Sequence, residues 1–484
     1  MTKETKMKLR SYQTDAIDKL TASFQKNHRK VILQASTGSG KTVIASELIR
    51  RITANGKRVL FVAHRKEIIN QTSDKLDDFN IPHGVIMASH KRKNEHPVQV
   101  ASIQTISRRN KPPADVIIFD EGHLSISKSY VDLVKAYPDA VVLCLTATPI
   151  RGDGRGMGEI YTDIVQVVPM AQLISEGHLV KPRVFAPFTP NMKAVTISKG
   201  DYDAVETAAV MDNAVITGDI VTTWQKYALD RPTIAFASSV QHSRNIVAEF
   251  EKAGISARHL DAKTPAIERD TIINDFKSGA FKVLSNMAIM IEGFDHPPTS
   301  CVILARPTKS LTIYLQAVGR VMRPHESKSD CVILDHAGLT AVHDFVDVAR
   351  GWSLEPNPKK SRLSNDEPAT SVTTCTECFC SYSKKLSPLA CPECGAATEQ
   401  PEVAEVHAAG ELIELTKPTT EMMVAQARRI TDAKAKAWEL AKRPVTEIVT
   451  LKQLQEAGIA AGFESGWAWH QWRGRSAGGV YHVQ

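Results

Sequence analysis

The chain has 484 residues and a net charge of +7, too long for one hydrophobic core and sufficient for roughly two to four domains. Its opening stretch, MTKETKMKLR, is charged and lacks an apolar signal segment, and no apolar run reaches the roughly 20 residues of a membrane helix. These features predict a cytoplasmic protein rather than a secreted or membrane-spanning one. The mild positive charge permits a polyanionic partner without requiring one.

In chain order, the apolar runs KVILQ, RVLFVA, VQVAS, VIIFD and VVLCLT alternate with amphipathic stretches such as VIASELIRRI and KEIINQTSDKL. Short buried strands separated by helices predict a doubly wound parallel α/β sheet. A second series, TIAFAS, FKVLSN, CVILAR and CVILDH, predicts another such domain in tandem. The two join near ISEGHLVKP, where Gly177 and Pro182 interrupt regular structure. The expected limits are 1–178 for the first lobe and 179–350 for the second. A Pro-, Ser- and charge-rich linker follows over 351–371, then a four-cysteine module over 372–400 and a helical C-terminal region over 401–484.

The stretch ASTGSGKT follows one predicted strand and precedes a helix, the setting of a phosphate-binding loop. Gly38 and Gly40 let the backbone curl so that N–H groups, including those of Thr37 and Ser39, face phosphate oxygens. The helix N-terminus adds its positive end. Lys41 is expected to reach the β- and γ-phosphates of ATP, and the Thr42 hydroxyl to ligate Mg²⁺. At the end of VIIFD, Asp120 can orient that Mg²⁺ and Glu121 can take the proton of an attacking water. His123 is read as coupling this site to the next strand end.

Eight cysteines fall into two groups. Cys144, Cys301 and Cys331 sit in apolar strand-like runs and read as inert buried thiols. The remaining five lie between Cys375 and Cys394, which in a cytoplasmic chain points to metal rather than disulfides. Cys375-x₂-Cys378, twelve residues, Cys391-x₂-Cys394 is the spacing of two knuckles around a structural Zn²⁺. Cys380 is a spare that could replace Cys378. Lys384 and Lys385 read either as phosphate contacts or as a solvated loop. In the tail, Trp467, Trp469 and Trp472 with Arg473 and Arg475 read as a small helical core, with base stacking on single strands as the alternative. Because the cysteines lie beyond a Pro-rich stretch, a fragment ending near Arg350 is expected to fold alone.

ASTGSGKT, DEGH, TAT and QAVGRVMR occur in the order and spacing of superfamily 2 helicases of the DEAH/DExH type. The likeness covers roughly residues 8–345 and resembles most the RadD-like DNA helicases of bacteria and phages. It implies two RecA-like lobes, a zinc-ribbon-like module behind them, and an ATP-dependent DNA helicase or translocase of replication, recombination or repair. An RNA helicase and an ATP-gated remodeller of nucleoprotein remain alternatives. The resemblance also implies that Gln13 in LRSYQ reads adenine. His64 and Arg65, and Gln104 and Thr105, would touch the nucleic-acid backbone, as would Ser238 or Ser239 in the second lobe. Thr146 and Thr148 would couple hydrolysis to lobe movement, while Gly293 and Asp295 would approach the phosphates and ribose. In QAVGRVMR, helical spacing would put Gln316, Gly319, Arg320 and Arg323 on one face, with both arginines reaching the γ-phosphate across the cleft. Two departures stand out: Gly122 where Ala or Cys is commoner, and Ile291 where relatives often carry Thr.

Overall fold

The computed structural model describes residues 9–355 and 372–396, less 89, 93–94, 123–124, 126, 151–155, 187–189, 191, 193–194, 199, 213, 288–293, 384–386 and 388–389, together with 439, 453, 454 and 457. His123, Ile291, Gly293, Lys384, Lys385 and the tail residues Trp467, Trp469, Trp472, Arg473 and Arg475 lie outside the described residues. The chain divides into two units, Met1–Glu399 and Gln400–Gln484, and both large sheets and the cysteine cluster belong to the first. Among the described residues no helix is long and apolar enough to cross a membrane.

The first lobe runs α1 (Ser11–Gln25), β1 (Lys30–Gln34), α2 (Lys41–Ala54), β2 (Val59–Ala63), α3 (Lys66–Asp78), β3 (His83–Ile86), β4 (Val98–Ser102), α4 (Ile103–Ile106), β5 (Val116–Asp120), α5 (Lys128–Lys135), β6 (Val141–Thr146) and β7 (Asp163–Gln166). Its seven strands are all parallel, in the order β3-β4-β2-β5-β6-β1-β7. The chain continues through α6 (Met170–Ser175), β8 (Lys181–Phe185), β9 (Ile197–Ser198), β10 (Asp201–Tyr202), α7 (Ala204–Met211), α8 (Ala214–Tyr227), β11 (Thr233–Ala237), α9 (Val240–Lys252) and β12 (Ala257–Leu260). Then come α10 (Ala266–Ser278), β13 (Val283–Asn286), β14 (Cys301–Ala305), α11 (Leu311–Gly319), β15 (Asp330–Asp335), α12 (Leu339–His343), β16 (Val372–Thr374) and β17 (Cys380–Ser383). β2, β4, β11 and β14 are buried along their whole length. Helices cover both faces of each sheet, so these strands read as continuous apolar runs instead of alternating ones.

The second sheet has the order β12-β13-β11-β14-β15-β8-β17-β16. Six strands are parallel, and the last two add antiparallel to the β8 edge. The cysteine module, which sequence placed behind a linker as a unit of its own, is therefore an extension of the second lobe. Cys380 pairs with Phe185 in register, and the Ala186 N–H donates to the Phe379 carbonyl at 2.9 Å. Phe185 stacks on Tyr227 at 4.0 Å, and the Tyr227 hydroxyl donates to the Cys378 carbonyl at 2.6 Å. Arg183 on β8 bridges Asp330 and the knuckle residue Glu393. The physical reason is the edge itself: β8 presents unpaired N–H and C=O groups until a strand covers it.

A second tie runs the other way. Trp352 and Leu354 pack against the core beneath the first lobe, and the Gly158 N–H donates to the Leu354 carbonyl at 2.9 Å. A Cβ at Gly158 would lie 2.9 Å from that same oxygen, so only glycine lets the backbone pass. A chain ending at Arg350 would lose Leu354, worth about 1–2 kcal/mol for a half-buried side chain, and would bare the β8 edge. Thermal denaturation of that fragment is expected to show a midpoint clearly below that of the full chain; equal midpoints would mean that hairpin and strap contribute nothing.

Candidate active site

The site gathers at the C-terminal ends of the adjacent strands β5, β6 and β1, where doubly wound sheets bind ligands. Gly38 and Gly40 take φ values of 85° and 82°, a left-handed backbone that glycine adopts without a Cβ clash. Gly40 caps α2, so the loop opens directly onto the helix N-terminus. A Cβ at Gly40 would meet the Gln13 Nε2 at 2.5 Å, and one at Gly38 would meet Leu179 at 2.7 Å. The loop is braced from outside. Tyr12 and Gln13 donate to the Ser39 carbonyl at 3.0 and 3.3 Å, while the Arg10 N–H donates to the Gln13 Oε1 at 3.0 Å. Ser39 is buried and its hydroxyl has no protein partner. Thr37 is buried and Thr42 half-buried beside it. Exposed backbone donors at a helix start, a lysine and a hydroxyl form a donor set that fits a triphosphate with its Mg²⁺.

The two acids differ sharply. Glu121 has φ 50°, uncommon for a residue with a side chain and a sign of local strain. Its N–H donates to the Asp120 Oδ1 at 3.0 Å. Its Oε1 lies 3.2 Å from the Lys41 Nζ, and its Oε2 accepts from the Gln316 Nε2 at 3.1 Å. One carboxylate thus joins the phosphate loop of the first lobe to α11 of the second. Burial, and then the Glu121 carboxylate, push the Asp120 pKa up to about 6. A divalent cation supplies the charge that such a crowded carboxyl lacks, so Asp120 fits the role of Mg²⁺ ligand. Gly122 has a structural reason too: a Cβ there would collide with the Cys144 sulfur on β6, so a small residue at 122 matches the larger one at 144.

Three more contacts cross the cleft. The Thr148 hydroxyl meets the Thr312 hydroxyl at 2.8 Å, while the Thr146 hydroxyl accepts from the Thr148 N–H at 3.1 Å. A Cβ at Gly319 would collide with Thr37. The Arg323 stem comes within 4.0 Å of where a Gly38 Cβ would be. Helical spacing does not carry as far as expected, since α11 ends at Gly319. Arg323 precedes Pro324, and a residue before proline is driven out of the helical region. Both arginines nonetheless converge. Arg320 donates to the Phe294 carbonyl at 2.8 Å and Arg323 to the same oxygen at 3.5 Å, with Arg323 also paired to the exposed Asp295. Lys328, which sequence did not single out, pins this exit by donating to the Val321 carbonyl at 2.8 Å; burial lowers its pKa to about 8.

The candidate backbone-gripping residues sit at neighbouring strand ends. Gln104 donates to the His64 carbonyl at 3.0 Å and accepts from the Ser102 hydroxyl at 2.6 Å, tying the loop after β4 to that after β2. Arg65 donates to the His64 ring at 3.3 Å, and Thr105 is half-buried next to the exposed Gln104. Ser238 is buried with its hydroxyl 2.8 Å from the His242 Nδ1, whereas Ser239 caps α9 by accepting from the His242 N–H.

Cys375, Cys378, Cys391 and Cys394 bring their sulfurs within 4.8 Å of one another. Cys375 and Cys394 stand 3.7 Å apart, and Cys378 and Cys391 3.6 Å. A tetrahedral ion with metal–sulfur bonds of about 2.3 Å needs edges of about 3.8 Å, so the four thiols fit one ion. Burial works against the Cys375 thiolate, but N–H groups of Cys378 and Glu377 outweigh it and bring the pKa down to about 7. Cys380 stays out of the cluster. It lies on β17 inside the second-lobe core, and burial pushes its pKa up to about 12.

Comparison with known proteins agrees with this geometry. The family described as "Type III restriction enzyme, res subunit" matches residues 6–151, and "Helicase conserved C-terminal domain" matches 219–325. The 51.5 kDa protein of Lactococcus phage (isolate 7-9) is 31% identical over 418 residues, covering 85% of this chain and 88% of that one. The "Putative mitochondrial ATP-dependent helicase irc3" of Schizosaccharomyces pombe is 31% identical over 381 residues, 75% of this chain but 61% of the relative. "The fragment structure of a putative HsdR subunit of a type I restriction enzyme from Vibrio vulnificus YJ016" matches the fold with a TM-score of 0.56 at 20% identity, over 70% of this chain and 66% of that one. The chain belongs to the superfamily 2 helicases, a class of nucleic-acid-dependent ATPases.

The contact between Gly319 and Thr37 yields a direct test. Gly319→Val is expected to wedge the cleft and lower ATP turnover by about 10² or more, as misplacement of reacting groups does, while ATP binding to the first lobe persists. Turnover and nucleotide titration on the same preparation measure both; unchanged turnover would show that the lobes need not close this tightly.

Proposed function

We propose that this chain is an ATP-dependent motor that moves along or unwinds DNA, in replication, recombination or repair. The observation that carries the reading is the dual hold on Glu121, by Lys41 of one lobe and Gln316 of the other. With ATP bound, Lys41 turns to the phosphates and releases Glu121, which then takes the proton of the attacking water. Gln316 keeps the carboxylate aimed. Mg²⁺ on Thr42 and Asp120 would offset phosphate charge. Thr37, Gly38 and Gly40 offer backbone donors, Ser39 joins them by releasing the Ser36 carbonyl, and Gln13 reads adenine by exchanging its bonds to Arg10 and Ser39. Gly293 and Asp295 are assigned to the phosphates and ribose. Arg320 and Arg323 leave Phe294 and Asp295 for the γ-phosphate, and such fingers supply about 10³–10⁵ in rate.

Hydrolysis thus requires a closed cleft, and each closure moves one gripping lobe against the other. His64, Arg65, Gln104 and Thr105, with the half-buried Ser239 opposite, hold phosphates, so binding is salt-sensitive and largely indifferent to sequence. The choice of DNA is supported by the family matched over 6–151, named for a subunit of restriction enzymes, which act on DNA. We assign the ATP-binding lobe to 1–178, the second lobe to 179–350 and a joining segment to 351–371. We assign the zinc module to 372–400, with Zn²⁺ on Cys375, Cys378, Cys391 and Cys394; the helical region expected over 401–484 lies almost wholly outside the described residues.

Glu121→Gln is expected to bind ATP and DNA normally while losing about 10²–10⁴ in turnover. ATPase assays with single-stranded, duplex and branched DNA and with RNA measure it; stimulation by RNA alone, or full turnover in the variant, would sink the reading. Replacing Cys391 and Cys394 by Ser is expected to cost one zinc per chain by elemental analysis. Because the hairpin completes the second sheet, it should also lower the melting midpoint of the second lobe rather than unfold the module alone.

A further inference from the structure

The segment between β8 and α8 lies outside both matched family regions, which end at 151 and begin at 219. It is built as a brace. β9 and β10 form a two-stranded hairpin in which Asp201 pairs with Ser198 and Tyr202 with Ile197, turning at Gly200 with φ 87°. Asp203 caps α7 by accepting from the Val205 and Glu206 N–H groups at 2.9 and 3.1 Å. Glu206 reaches back to accept from the Thr196 N–H at 2.6 Å, closing hairpin and helix into one piece. At its far end, Asp212 accepts from Asn245 on α9 at 2.7 Å.

Among the described residues, this piece makes a charged contact with the loop that leads into α11. The Asp201 Oδ2 accepts from the Thr308 hydroxyl at 2.6 Å, and its Oδ1 accepts from the Lys309 N–H at 2.7 Å. Thr308 is buried and passes the hold onward: its hydroxyl accepts from the Ser310 N–H at 3.0 Å, and Ser310 caps α11 through the Ile313 N–H. His343 holds the Thr308 carbonyl at 2.9 Å, and the Lys309 ammonium lies over the Tyr202 ring at 5.2 Å. Every link between Asp201 and the first turn of α11 is a hydrogen bond.

From Tyr314 to Gly319 the helix is buried, so it moves as a rod, about 1.5 Å long per residue. Its first turn carries Thr312 against Thr148, its middle carries Gln316 against Glu121, and the chain leaves its end through the C-cap Arg320 on the way to Arg323. A shift at the clasp is a shift at all three. We propose that Asp201 is a positioning residue for ATP hydrolysis. Through Thr308 and Ser310 it fixes the axial setting of α11, and with it Gln316 and the two arginines. The inference rests on the reading of those residues as serving hydrolysis, yet the clasp has a readout of its own.

The test uses full-length Asp201→Ala, Asp201→Asn, Thr308→Val and the double variant Asp201→Ala/Thr308→Val. Hydrogen exchange at the Lys309, Ser310 and Ile313 amides is expected to speed up by about tenfold or more in Asp201→Ala, the scale of a lost charged hydrogen bond. The DNA-stimulated kcat is expected to fall about tenfold with KM for ATP within about twofold, since an effect on the closed state alone leaves ground-state binding intact. Asp201→Asn, which keeps one acceptor, should recover most of the loss. The double variant should fall by less than the sum of the two single losses, because the two side chains share a contact. Exchange unchanged in Asp201→Ala overturns the clasp, whether or not the protein hydrolyses ATP. Faster exchange with normal kcat, or kcat and KM worsening together, overturns the positioning role. A wild-type protein without ATPase activity sinks the motor reading and, with it, the positioning role, while exchange still decides the clasp.

Discussion

The whole two-lobe arrangement turns on a carboxylate with two owners. Glu121 is nearly buried, and a buried charge is stable only when it is paired and hydrogen-bonded. Lys41 and Gln316 each take one of its oxygens. One oxygen is held from each lobe, so closure of the cleft and the Gln316 hold on the carboxylate are one event. The strained φ at Glu121, the small residue behind it at Gly122 and the complementary Cys144 on the next strand all keep it at the seam. In the proposed mechanism, a bound nucleotide would draw Lys41 to its phosphates and leave Glu121 on Gln316, which would make hydrolysis answerable to the position of the second lobe.

That position is set by a helix held along its length. α11 meets the first lobe at Thr148, Glu121 and Thr37 in succession, and the β9–β10 brace grips the loop before it. Close packing explains why small residues recur at these points. Gly319 lies too near Thr37 to carry any side chain, and Gly158 admits the strap at Leu354 for the same reason. A seam of this kind has few intermediate settings, because packed surfaces are bistable rather than elastic.

Much of this was legible in the sequence, for a reason that can be stated. ASTGSGKT, DEGH and QAVGRVMR are local: their chemistry needs residues a few positions apart at a strand end or helix start, and spacing records that directly. The four metal-fitting thiols were legible likewise, as two tight pairs. What escaped was long-range or conformational. Nothing in CTECFCSYS says that Cys380 will pair with Phe185 nearly two hundred positions earlier, since strand addition is a backbone contact any sequence could make. The Asp201 hold on Thr308 spans 107 residues and joins two unremarkable side chains. The helix ends at Gly319, short of its expected face, and Pro324 keeps Arg323 from rejoining it, since a residue before proline disfavours the helical region. Ser238 reads as a surface donor, but the pocket behind it holds His242, which takes its hydroxyl.

The covered edge of β8 also bears on how the protein comes off the ribosome. β8 is made at residue 185, but its neighbours β15 and β17 end at Asp335 and Ser383. At 5–20 residues per second, the strand waits about 10–40 s before its last partner emerges. For that interval the second lobe has an unfinished sheet, while all seven strands of the first sheet have been made by residue 166. The order of synthesis therefore leaves one exposed strand as the vulnerable point of biogenesis. The hairpin that finally closes it carries two of the four clustered thiols at its turn, Cys375 and Cys378, so under the proposed zinc assignment the last step of completing this sheet would coincide with the capture of an ion.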